Sequence, residues 1–166
     1  MSKNLVDICV NLTDEVFSGN EESIINEAKQ KNVTKMVLVG NDLKSSNECQ
    51  RLAKKYNFVS TAGYHPHNAK EWDENSYTEL QKLIKFENVR AVGECGLDFN
   101  RNFSSPEIQH KVFAKHIDLA KETGLPLFVH ERDAFHQMHK ILSENVKDCN
   151  RILVHCFTGT KNALED

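Results

Sequence analysis

Three residues with metal-ligand side chains each follow directly on a short apolar run. Glu94 comes after Val-Arg-Ala-Val-Gly, His130 after Leu-Pro-Leu-Phe-Val and His155 after Arg-Ile-Leu-Val. Any one of them alone reads as a satisfied or solvated side chain. Together, one carboxylate and two neutral imidazoles form a donor set for a divalent cation such as Mg, Mn or Zn, with positions left open for water and a phosphate oxygen. His65 and His67, in Gly63-Tyr-His-Pro-His, follow another apolar run, and a protonated His65 could bond a phosphate oxygen. Arg101, in Gly96-Leu-Asp-Phe-Asn-Arg, and Arg132, in Glu131-Arg-Asp, are each suited either to a bidentate phosphate clamp or to a surface ion pair. Phe99 and Phe103, beside Arg101, could stack on an unpaired base or pack into a core. His110, His116, His136 and His139 fall within helical patterns and are expected at the surface or its boundary.

These residues work together only if the chain brings their apolar runs side by side. Val- and Leu-rich runs alternate with amphipathic stretches, the pattern of repeated βα units on a parallel sheet. Strands are expected at Leu5–Val10, Lys35–Val39, Phe58–Ala62, Val89–Gly93, Pro126–Val129 and Arg151–Val154. The clearest helix has Ser105 as its cap, Pro106 at its first position, Gly124 as its stop, and a stripe of Ile108, Val112, Phe113, Ile117 and Ala120. In a parallel barrel the C-terminal ends of the strands converge on one face, where catalytic groups gather. The expected fold class is α/β: about six units are read here against the eight of a (β/α)8 TIM-type barrel, so residues 1–166 would form one domain, the truncated N-terminal portion of such a barrel, although length alone favours an open sheet. A doubly wound open sheet is the rival.

A formal charge of -3 over 166 residues argues against a broad basic surface that coats nucleic acid. An anionic substrate must then be held locally. Five scattered cysteines without a C-x-x-C pair, and a start that lacks the apolar stretch of a signal peptide, point to a reducing compartment: the cytoplasm, with the nucleus as the alternative. No apolar run approaches the ~20 residues that span a bilayer.

Four segments, Val6-Asp-Ile-Cys-Val-Asn-Leu-Thr, Thr61-Ala-Gly-Tyr-His-Pro-His, Gly93-Glu-Cys-Gly-Leu-Asp-Phe-Asn-Arg-Asn-Phe and His155-Cys-Phe-Thr-Gly-Thr, together resemble the TatD-type deoxyribonucleases, and the likeness runs the length of the chain. The resemblance implies an amidohydrolase-like barrel that cleaves DNA, single-stranded or frayed at its ends, with a magnesium- or manganese-type ion. It implies Glu94, His130 and His155 as metal ligands and His65 near the substrate phosphate; 3'-5' exonuclease and endonuclease action both stay open. Many relatives carry Asp-x-His-x-His on the first strand for a second metal, where this chain has Asp7, Cys9 and Asn11, although one subgroup shares the Asn. The family's late Asp, a metal ligand that assists water, has no counterpart before Asp166, so no catalytic base is assigned. Two alternatives accompany this reading: a metal-dependent hydrolase of a small amide or ester, and a shortened, non-catalytic form that self-associates or pairs with a complementing chain.

Overall fold

Alternating strand and helix patterns fold into six parallel strands in simple chain order, seen in a computed structural model that describes residues 4–149 and 151–165. The elements are β1 (Leu5–Val10), α1 (Glu21–Gln30), β2 (Val33–Leu38), α2 (Leu43–Tyr56), β3 (Val59–Ala62), α3 (Ser76–Ile84), β4 (Val89–Asp98), α4 (Pro106–Thr123), β5 (Leu127–Arg132), α5 (Phe135–Asn145), β6 (Ile152–His155) and α6 (Lys161–Glu165). Residues 1–3, Asn150 and Asp166 lie outside the described residues. Among the described residues no helix is long and apolar enough to cross a membrane.

Chain order β1 to β6 excludes the doubly wound arrangement, in which the order reverses partway across the sheet. Curvature follows from a distance. Five strand spacings would put β1 and β6 about 24 Å apart in a flat sheet. Yet donor atoms of Cys9 at the end of β1 and His155 at the end of β6 lie within 4.8 Å of each other. The sheet is therefore an arc of a barrel, with helices outside. Strand alternation then sorts the core. Met36, Leu38, Leu127 and Val129 pack outward among buried helix residues, whereas Val39, Ala91 and Phe128, with Cys9 and Val37, fill the inner face.

The strands that carry Glu94, His130 and His155 run further than their apolar content suggests. β4 continues through Gly-Glu-Cys-Gly-Leu-Asp to Asp98, and β5 and β6 include His130 and His155, so these residues lie inside strand ends instead of after them. Two glycines make the extension of β4 feasible. Gly93 (φ +133°) and Gly96 (φ +126°) adopt backbone angles that side chains avoid, and a Cβ there would collide with the Phe128 and His130 carbonyl oxygens of β5. Between Val92 and Cys95, β4 takes three steps while its partner takes two, so one extra residue is inserted next to Glu94. A similar slip on β1, three steps from Asp7 to Val10 against two on β2, falls at Ile8–Cys9. Such insertions re-aim side chains.

Helix α4 has its expected ends: Ser105 Oγ accepts from the Ile108 N–H, and Gly124 closes the helix in a left-handed conformation. Ile108, expected in the buried stripe, is instead 38% exposed. The inward position in that turn belongs to Gln109, whose amide accepts from the Asp98 N–H and donates to the carbonyls of Asp98 and Ser104. That clamp fixes the last residue of β4.

Candidate metal centre

The C-terminal ends of β1, β3, β4, β5 and β6 surround a cleft of about 380 Å³ lined by Cys9, Asn11, Asn41, His65, His67, Asn68, Glu94, His130, His155 and Cys156. At its centre stands Glu94, only 3% exposed. One of its oxygens, Oε1, lies 2.7 Å from His155 Nε2, 3.1 Å from His130 Nδ1 and 3.4 Å from His65 Nε2. Two sets of three donor atoms fall within 4.8 Å of one another: His65, Glu94 and His130, and Cys9, Glu94 and His155. The three residues expected as ligands thus converge on one carboxylate oxygen, and His65 and Cys9 join them.

Hydrogen-bond partners fix several proton positions. Asp98, fully buried at the end of β4, accepts backbone N–H groups of Asn100 and Arg101 at Oδ1. Its Oδ2 faces His67 Nε2 at 2.7 Å and His130 Nε2 at 3.2 Å. A carboxylate only accepts, so the His67 and His130 nitrogens that face Asp98 carry protons, and His130 turns its Nδ1 toward Glu94. His65 Nδ1 accepts from the His67 N–H, which leaves its proton on Nε2. A buried carboxylate that orients an imidazole whose other nitrogen faces a shared centre is the usual support around a metal ligand. Buried oxygen, nitrogen and sulfur lone pairs so arranged fit a divalent cation.

The electrostatics agree. Burial pushes the Glu94 carboxyl up, but hydrogen bonds from His130 and His155 and the proximity of His65 overcome it and hold the group at about 2. Burial lowers the His65 imidazole to about 3 against the pull of Glu94, so His65 is neutral and offers an N–H, correcting the expectation of a charged phosphate binder. Burial, with Glu94 and Asp7 nearby, pushes the Cys9 thiol up to about 12.

The two arginines are placed differently. By alternation Arg132 shares the inner face of β5 with Phe128 and His130. Arg101 is exposed and reaches the site through its backbone N–H to Asp98. Neither lines the cleft, and neither guanidinium forms an ion pair among the described residues. Phe103 is exposed with its ring edge-on to His67 at 4.8 Å, while Phe99 packs against the core and stacks on His110. Glu131 is buried in β5, where it accepts the N–H groups of Ala134 and Thr158 and ties two loops together.

His116 overturns a reading made from its helical position. It is fully buried; its Nδ1–H donates to the Val112 carbonyl and its Nε2 accepts the Tyr64 N–H at 2.9 Å, anchoring the residue just before His65. The sequence hid this, because a buried polar side chain and a surface one look alike in a helical pattern. Asp98 and Cys9 were visible as residue types at strand ends, but their roles depend on strand extension and bulges that hydrophobic periodicity does not report.

Comparison with known proteins agrees with this architecture. Residues 6–166 match the family model described as TatD related DNase. A relative named 3'-5' ssDNA/RNA exonuclease TatD, from Edwardsiella piscicida, is 40% identical over 163 residues, 97% of this chain and 63% of its own length. The crystal structure of a TatD homologue from Escherichia coli superposes with a TM-score of 0.88 at 26% identity, over 98% of this chain and 63% of that one. A TatD family hydrolase from Entamoeba histolytica gives 0.87 at 27% identity, over 99% and 62%. The chain thus spans a little under two thirds of the length of the relatives it matches.

Proposed function

Because the chain belongs to the TatD-related DNase family, we propose that it takes part in metal-dependent hydrolysis of phosphodiester bonds in single-stranded or end-frayed DNA. The observation that carries this reading is the convergence of three imidazole nitrogens on Glu94 Oε1 in an open cleft. Glu94, His130 and His155 hold the cation, a Mg, Mn or Zn ion, with His65 beside them. A bound divalent cation supplies Lewis acidity there, making water nucleophilic near neutral pH and offsetting charge on the phosphate. Asp98 keeps the His130 and His67 rings in place. The neutral His65 donates a hydrogen bond, Arg132 and Arg101 bind phosphate oxygens from the rim, and the exposed Phe103 ring stacks on an unpaired base. Glu94 and Asp98 are both engaged by imidazoles, so neither is free to act as the general base. Five free cysteines fit a reducing, cytoplasmic setting.

The test is a side-by-side assay of the chain with Mn or Mg on 5'-labelled single-stranded DNA and on small ester and amide substrates. Progressive shortening of the DNA from its 3' end is expected. Turnover confined to the ester or amide would replace the nuclease reading with the small-substrate one.

A second reading concerns assembly. Leu5, Val6 and Ile8 on β1 and Leu153 and Val154 on β6 are exposed apolar residues on the two outer strands of the arc. Unpaired apolar strands promote association. Self-association, or pairing with a complementing chain, follows from this reading. Sedimentation of the purified chain should give species heavier than 19.0 kDa, and a monodisperse monomer would count against it.

A further inference from the structure

Five cysteines are free, and they differ in setting. Cys49 and Cys95 are fully buried among apolar neighbours and behave as small core side chains. Cys9 is different: it is only half-buried, it lines the cleft, and its sulfur lies within 4.8 Å of donor atoms of both Glu94 and His155. The extra residue in β1 falls at Ile8–Cys9, as the extra residue in β4 falls beside Glu94, so both side chains are re-aimed at the same centre. Asp7 Oδ1 accepts the Cys9 N–H, which ties this carboxylate to the bulge itself. Asn11 is taken by the amide of Asn41.

We infer that Cys9 is a metal ligand whose thiolate joins Glu94 and His155 in the proposed metal centre and makes that centre favour a thiophilic ion such as Zn over Mg. This rests on the proposed role of Glu94 in holding a metal. One sulfur, one nitrogen and one oxygen donor suit a tetrahedral zinc site with an open fourth position, whereas Mg requires oxygen ligands in near-octahedral geometry. Binding costs the thiol its proton, which leaves to solvent; the sulfur lone pair then enters the metal's empty orbital, with no change of oxidation state. The site therefore discriminates among ions by ligand softness.

Cobalt(II), a spectroscopic stand-in for zinc, tests this on the unaltered chain. Titration should produce ligand-field bands of a low-coordinate ion together with a near-ultraviolet sulfur-to-cobalt charge-transfer band. Cys9→Ser should abolish the charge-transfer band and weaken zinc binding by ~100-fold or more, since disturbing groups that merely orient ligands already costs 10–100-fold. Cys156→Ser should leave the band in place. Ligand-field bands without charge transfer in the unaltered chain would overturn the role of Cys9 and leave the metal centre standing, and so would a band lost only in Cys156→Ser. Absence of both cobalt and zinc binding would overturn the metal reading itself and this inference with it.

Discussion

Glu94→Gln is expected to weaken divalent-cation binding by ~100-fold or more and to remove metal-dependent cleavage while leaving the metal-free fold in place. The side chain is 3% exposed and its Oε1 is the atom on which the imidazoles converge. Glutamine keeps the shape and one carbonyl oxygen that imidazole N–H groups can use, so the metal-free packing has little reason to change. What it lacks is the negative charge that a buried dication needs as compensation. Thermal unfolding separates the two effects. With metal at about 100 times its Kd, the unaltered chain should gain about 2.7 kcal/mol from binding to the folded state alone. For a domain of this length that is a rise in Tm of roughly 5–11 °C. A variant binding 100-fold more weakly would gain roughly 0.4 kcal/mol at the same concentration, a shift of about 1 °C. Equal stabilisation of both proteins would remove Glu94 from the metal centre.

Hydrophobic periodicity revealed the strand number, their parallel arrangement and where the candidate ligands cluster, because each of these residues follows a run that only a buried strand would carry. It stopped short where strand structure continues through polar or glycine-rich sequence. Gly93-Glu-Cys-Gly-Leu-Asp carries a poor strand signal, yet it extends β4 because Gly93 and Gly96 accept backbone angles and close contacts with β5 that other residues cannot. The extra residues at Glu94 and Cys9 break the two-residue alternation on which strand reading depends. Pairings through space were equally hidden: Asp98 with His67 and His130 spans more than thirty positions of sequence, and the link from His116 to Tyr64 spans 52. Glu94, His130 and His155 stood out by their places after apolar runs and also match the TatD resemblance, whereas Cys9 stood out only as a departure from that family's pattern.

Acid should destabilise this fold in two stages, beginning with a histidine outside the cleft. Burial holds His116 at about 4 when folded, against 6.5 in an ordinary setting. Between those values the unfolded chain binds a proton that the folded protein refuses, so stability is full above pH 6.5 and falls as the pH drops toward 4. The loss amounts to about 3 kcal/mol, a large share of the 5–15 typical of a domain. His65, lowered to about 3 by burial, acts in the same direction and extends the loss further into acid. Glu94 comes later: its carboxyl sits at about 2 instead of 4.5, so its contribution persists above pH 4.5 and disappears as pH falls from 4.5 toward 2. Urea unfolding in the presence of a chelator, at steps from pH 7.5 to 4, isolates the histidine stage from proton competition with metal. His116→Gln keeps an oxygen that can accept the Tyr64 N–H but cannot titrate. It should be less stable at pH 7.5 by about 1–3 kcal/mol, from imperfect packing and altered hydrogen bonding. Its stability should also fall less steeply below pH 6.5, by up to about 1.4 kcal/mol per pH unit, the slope of one proton. An unchanged slope would mean that His116 is not the titrating group. Because its Nε2 holds the N–H of the residue before His65, protonation of this ring in the folded protein, near pH 4, breaks the anchor of the loop that carries His65 into the cleft, so loss of cleft geometry should come at the acid end of the stability loss.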